Sequence, residues 1–174
     1  ILNRSFRKIS DMVVISNSSP IIHLAKIGRL NLLERLYSRI LVPEKVYLEC
    51  TDTVHYHKEV ELIAAQSAWI KRHLIEDDRL FNLLYAEIDA GEAEALVLAL
   101  EQKADLLLLD DQEARSMARK LGLPVTGTLG VLLKAKNEGM INSFAEDLQK
   151  LQRSGFWLSQ DLVNTLLSSS GPNG

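Results

Sequence analysis

The sequence predicts an α/β protein, built as three α/β/α layers around a mostly parallel central sheet. Two observations carry this. Short β-rich runs at about 12–16, 40–42, 69–73, 106–109 and 125–126 alternate with helical segments. That order builds a parallel sheet with helices on both faces and right-handed crossovers. The run Leu106 to Leu109 is also continuously apolar, as a strand buried on both faces must be.

At 174 residues the chain makes one domain, large enough to bury a core without staples. Its 47% apolar and 25% charged residues are the balance of a folded globular chain. No apolar run approaches the ~20 residues that a membrane span needs. No basic-then-apolar leader is visible, and the single cysteine, Cys50, cannot form an internal disulfide and suits a reducing compartment. The expected location is the cytoplasm. A net charge of −3 argues against a protein that coats nucleic acid electrostatically. It leaves room for a nuclease, because an acidic metal site offsets basic residues elsewhere.

Residues 1–11 show neither period and are expected to be a tail or cloning remnant, with Met12 as the natural start. The domain is expected over 12–168 and a flexible tail over 169–174. Met12 to Ser16 reads as a central strand. Asn17-Ser18-Ser19-Pro20 then has helix-start character, with Ser18 or Ser19 as cap and proline at the first helical position. An apolar helix follows to Gly28, and a second helix runs from Leu30 to Leu36. Arg39 to Val42 reads as the next strand, and Pro43 to Cys50 as a helix. After a loop at 51–56 come a helix from His57 to Gln66 and a strand from Trp69 to His73. Glu76-Asp77-Asp78-Arg79 reads as a charged loop before a short helix, Leu80 to Tyr85. A helix beginning near Gly91 leads to the fourth strand. Asp111 or Gln112 starts the helix that closes at Gly122, where a left-handed residue is expected. The strand Leu123 to Thr126, the helix Leu129 to Asn137, and helices at about 143–152 and 160–168 complete the chain.

Acids mark the places where strand ends and helix starts meet. Asp110 follows the buried fourth strand, and ligands of open parallel sheets bind beyond the carboxyl ends of strands. Glu92 lies in the first turn of its helix, where the helix dipole alone favours a carboxylate by about 0.3–1 kcal/mol. Glu92 and Glu94 are about 200° apart around a helix, so only one of them can face a site. Glu49 closes the helix after the second strand. Oxygen donors of this kind suit hard divalent cations such as Mg²⁺ and Mn²⁺, which activate water and neutralise phosphodiester charge. The histidines lack the spacing of a helical zinc site. Neither a glycine-rich phosphate loop nor a G-x-S-x-G elbow occurs.

Several motifs occur in order: Val14-Ile15-Ser16-Asn17-Ser18-Ser19-Pro20-Ile21-Ile22, Ala25-Lys26-Ile27-Gly28 and Val42-Pro43-Glu44-Lys45-Val46-Tyr47-Leu48-Glu49. Gly91-Glu92-Ala93-Glu94-Ala95, Asp110-Asp111 and Gly127-Thr128-Leu129-Gly130 follow. Over about Met12 to Leu167 the chain resembles a toxin-like prokaryotic branch of the PIN-domain proteins. The resemblance implies a flap-nuclease-like core in which three or four acids hold one or two Mg²⁺ or Mn²⁺ ions and cut RNA. It also implies a small antitoxin partner and a homodimer. Carried over by motif, the four acidic positions fall on Asn17, Glu49, Glu92 and Asp110, with Glu49, Glu92 and Asp110 as the catalytic acids and Asn17 as an auxiliary metal ligand. Hydrolysis would leave a 3′-hydroxyl and a 5′-phosphate. Ser16 and Ser18 flank the first position and could assist through their hydroxyls. Lys26, Arg115 and Arg119 are expected to contact phosphates. Asn17 departs from the family's acid, because an amide oxygen can ligate but carries no charge and cannot act as a base. Two further readings follow from the sequence: a PIN-like module that binds RNA or a partner without cutting, and another doubly wound protein such as a receiver domain. The absence of an acid beside Asn17 argues against the receiver.

Overall fold

The computed structural model describes residues 11–52, 54, 55 and 57–168. The terminal segments expected to be tails fall largely outside these residues. Five strands form one parallel sheet: β1 (Val14–Ser16), β2 (Ile40–Pro43), β3 (Ile70–His73), β4 (Leu106–Leu108) and β5 (Val125–Thr126). Their order is β3-β2-β1-β4-β5. Register is set along β1 and β4, where Val14 pairs with Leu106, Ile15 with Leu107 and Ser16 with Leu108.

Strand side chains alternate between the two faces, and each face has its own core. Val14, Ile40, Val42 and Leu108 point into one, and Ile15, Leu107 and Leu109 into the other. The first core is closed mainly by α1 (Ser18–Lys26), α2 (Asn31–Tyr37), α8 (Thr128–Asn137) and α9 (Phe144–Arg153), with α10 (Gln160–Ser168) adding Leu166. The second is closed by α5 (Asp78–Tyr85), α6 (Ala90–Glu101) and α7 (Gln112–Lys120). The remaining helices, α3 (Glu44–Cys50) and α4 (His57–Ala64), follow β2. The α/β/α expectation holds.

Glycines end helices where a left-handed residue is needed: Gly122 has φ +74° and Gly139 φ +68°. The starts of α1 and α5 differ from expectation by more than a residue or in their caps. Helix α1 begins at Ser18 with Asn17 as its N-cap residue, and Pro20 sits at the third helical position. Proline is tolerated there because the first-turn N–H groups have no helical partner. Ser18 is not the cap because its hydroxyl is engaged elsewhere, as described below. Helix α5 starts at Asp78, so part of the charged loop is helical. The Asp77 side chain accepts from the Leu80 N–H at 2.9 Å, while Glu101 accepts from the N–H groups of Glu76 and Asp77. Local capping organises these acids.

Candidate functional site

The sheet order reverses direction between β1 and β4, and the crevice beyond their carboxyl ends is where such sheets bind ligands. Asn17 leaves β1 there, and its backbone N–H donates to the Leu108 carbonyl at 3.0 Å. Asp110 leaves β4 two residues beyond Leu108, after Leu109 has bonded its N–H to the Thr126 carbonyl. Adjacent strand ends therefore deliver both residues to one edge.

Each acid at this edge has its own support. Thr128 holds Asp110 twice, through its N–H to Oδ1 at 2.7 Å and its hydroxyl to Oδ2 at 2.6 Å. Thr128 is fully buried, and Gly127 makes the approach possible: a Cβ there would stand 2.6 Å from Asp110 Oδ1 and 2.9 Å from the Leu109 carbonyl. Glu49 receives the Ser18 hydroxyl on Oε2 at 2.6 Å. Its carboxylate lies against Gly91, where a Cβ would come within 2.8 Å of the same oxygen. Glycine at position 91 thus lets α6 pass over Glu49 and brings Glu92 beside it. Glu92 accepts from the backbone N–H of Asp89, the residue that precedes α6.

Glu94 points elsewhere, as the helical angle requires. It is buried and accepts from the Lys45 N–H at 2.8 Å, tying α6 to the start of α3. Asp111 caps α7 by accepting from the Ala114 N–H at 2.8 Å.

Electrostatics separate these acids. Burial, then the charges of Asp111, Asp89 and Glu49, push the Glu92 carboxyl up to about 7, against the weaker opposite effect of the Asp89 N–H. Glu92 lines a cleft of about 350 Å³ with Tyr85, Glu87, Ile88, Asp89, Asp111 and Glu113. The Asn17 side chain is almost completely buried, and its Oδ1 has no hydrogen-bond partner among the described residues. His23, further along α1, is held below its usual pKa by burial. The Asp110 charge opposes that shift and Lys26 adds to it.

The strand ends bring Asn17 and Asp110 to one edge, and Ser18 and Gly91 place Glu49 between α1 and the start of α6, where Glu92 lies, without forming a cage. Among the described residues, no three His, Cys, Asp or Glu side chains stand together as a ligand set. Serine, threonine and a backbone N–H hold the three acids on separate donors. The cationic positions are spread more widely. Arg115 shares the Gly127 position with Asp110, its Nη1 lying 3.4 Å from where a Cβ would stand, and its buried Nε has no partner among the described residues. Lys26 ends α1, about 12 Å of helix rise from Ser18, and Arg119 is about 6 Å of rise beyond Arg115 on α7. Of the three, Arg115 is the one at the acidic edge.

Sequence reasoning missed Thr128 as the support of Asp110 and the spatial reason for Gly91. Both lie in motifs already noticed, but their partners are distant in sequence. Ser18 emerges as the support of Glu49, while the Ser16 hydroxyl turns back to the Asn17 carbonyl at 2.8 Å.

No curated protein matches this chain. A family model described as PIN domain matches residues 13–172, nearly its whole length. With that match on a parallel α/β/α fold, the chain belongs to the PIN-domain family.

Proposed function

We propose that the protein is a Mg²⁺- or Mn²⁺-dependent endoribonuclease and the toxin of a toxin–antitoxin pair. The observation that supports the nuclease reading is the delivery of Asn17 and Asp110 by the adjacent ends of β1 and β4, where the sheet order reverses, with Glu49 bonded to Ser18 beside Asn17. The antitoxin and the homodimer rest on the family resemblance, and the cytoplasmic location on the single cysteine. No helix among the described residues is long and apolar enough to cross a membrane.

The donors fit a hard divalent cation. They are all oxygens, Asn17 Oδ1 is buried without a partner among the described residues, and the Glu92 carboxyl is pushed up to about 7 by burial first and then by its acidic neighbours. Glu49, Glu92, Asp110 and Asn17 would hold the ion. When bound, such an ion lowers the pKa of water and neutralises charge building on the phosphodiester. Ser18 keeps Glu49 turned to the edge, and Thr128 keeps both Asp110 oxygens fixed. Glu92 must give up its proton to ligate, so cation binding releases a proton and strengthens as pH rises toward and past 7. Arg115 offers a guanidinium to a non-bridging phosphate oxygen beside Asp110.

Incubation of the purified protein with single-stranded RNA and Mn²⁺ tests this reading. Cleavage should fall at least 100-fold in Glu49→Gln and in Asp110→Asn; unchanged cleavage in both would remove these residues from the site. Asn17 favours a second reading, a PIN module that binds without cutting, because its amide adds no charge to the ligand set. Asn17→Asp separates the two. Cleavage that appears only in that variant marks a native chain that binds RNA or a partner without cutting.

A further inference from the structure

Helix α5 ends at Tyr85, and contacts on both sides place that ring with respect to the acidic edge. Tyr85 lines the same cleft of about 350 Å³ as Glu92, so an aromatic wall and a proposed metal ligand share one space. Phe81, one turn earlier on α5, lies nearly parallel to the Tyr85 ring, with centroids 5.5 Å apart and planes 10° apart. Lys45 of α3, the helix that carries Glu49, holds its Nζ 5.8 Å from the Phe81 centroid. Phe81 covers one face of the tyrosine, yet Tyr85 stays 55% exposed. Offset stacking of this kind orients a ring and is an arrangement that a third flat ring can extend.

The rest of the lining indicates which group would enter. Five of its side chains are carboxylates, those of Glu87, Asp89, Glu92, Asp111 and Glu113, and none is a cation. Asp111 is engaged as the cap of α7, and Glu92 accepts from the Asp89 N–H. Glu87, Asp89 and Glu113 have no side-chain hydrogen bond or ion pair among the described residues. Asp89 even stands at the N-cap position of α6 without using its carboxylate there. Such a wall repels a phosphate. A nucleobase is neutral, stacks on an aromatic ring and meets carboxylate acceptors with its N–H donors. The bases differ in what they bring. Guanine presents N1–H and the 2-amino group side by side, a match for the two oxygens of one carboxylate. Uracil presents a single N–H between two carbonyls, which the acids repel.

We propose that Tyr85 and the carboxylates around it bind a guanine of the RNA substrate beside the scissile phosphate, an inference that rests on the ribonuclease reading above. The cleft is then the base-selecting part of the site. Anisotropy with ten-nucleotide RNAs tests this, with Ca²⁺ present as a hard cation. A uridine strand with one central guanosine should bind about 5- to 100-fold more tightly than an all-uridine strand. A strand with inosine there, which lacks the 2-amino group, should fall between the two. Tyr85→Ala should weaken binding of the guanosine strand about 5- to 100-fold. Tyr85→Phe keeps the ring and should keep the preference, and the exposed position keeps both variants folded. With Mn²⁺ in place of Ca²⁺, cuts should fall next to the guanosine. Equal affinity for the three strands, or full affinity in Tyr85→Ala, overturns the guanine pocket, and RNA cleavage without base preference would leave the ribonuclease reading standing. A ten-arginine peptide that binds the wild type but not Tyr85→Ala, with RNA affinity the same in both, would overturn it as well, by assigning the cleft to a basic protein partner. If RNA is neither bound nor cleaved, both readings fall.

Discussion

Gly91 meets two opposed demands. As a helical glycine it destabilises α6 by up to about 1 kcal/mol relative to alanine. As a residue without a Cβ it leaves room for the Glu49 carboxylate. Gly91→Ala is therefore expected to melt at or above the wild-type temperature while binding Mn²⁺ more weakly by calorimetry, because the new methyl pushes Glu49 off Ser18. Equal Mn²⁺ affinity would show that Glu49 does not need that position. Its neighbour Glu92 gives a pH signature. Its carboxyl titrates near 7 in the folded chain against 4.5 ordinarily, so between those values the folded state holds a proton that the unfolded chain has released. Stability from this group is highest below about 4.5, declines as pH rises to about 7 and is level above. Glu92→Gln lacks that decline. Its advantage in urea unfolding should grow from pH 5 to pH 8, reaching about 1 kcal/mol once screening of this half-exposed group is discounted. A gap that stays constant with pH would refute the assignment. Cys50 is a plainer case. Burial first, then the Glu49 charge, pushes its thiol up to about 12. A thiol reagent at pH 8 should label it only on unfolding, and rapid labelling of the native protein would contradict that burial.

At the scale of elements, the site depends on contacts between segments far apart in the chain. Thr128, the first residue of α8, fixes Asp110 at the end of β4, and Glu94 in α6 fixes the start of α3, which carries Glu49. Thr128→Val keeps the shape and removes the hydroxyl donor. The expected cost is about 1–3 kcal/mol in denaturant unfolding, with a loss of RNA cleavage. Wild-type activity in that variant would show that the N–H of residue 128 alone suffices. These contacts also mark how far the sequence could be read. Strand and helix order was legible because it depends on local periodicity and on glycines such as Gly122 and Gly139. The turn of Glu94 away from the site was legible as well, because helix geometry dictates it. Its partner, the Lys45 N–H, was not, since 49 residues separate the two. The same holds for the start of α1. Ser18 has the character of a cap, but its hydroxyl serves Glu49, 31 residues away. Local propensity cannot register a competitor that only the tertiary fold brings near.

Across the whole molecule, the C-terminal helices are bound to the N-terminal ones by a buried charge. Asp147 of α9 is fully buried, and both its oxygens accept from Arg29 Nε at 2.9–3.0 Å in the connection between α1 and α2. Arg29→Ala would leave that carboxylate buried without its ion-pair partner, at an expected cost of about 3 kcal/mol in urea unfolding. A loss below about 0.5 kcal/mol would mean that water reaches Asp147 when the arginine is gone. The pairing of β1 with β4 has a consequence in time. Val14 finds Leu106, and Asn17 finds the Leu108 carbonyl, only after some ninety intervening residues exist. Thr128, which fixes Asp110, comes later still. A chain emerging N-terminus first from the ribosome thus carries Asn17 and Glu49 long before it can assemble the edge they serve. For a protein whose proposed substrate is RNA, the nascent chain would thus lack a complete edge until most of it has been made.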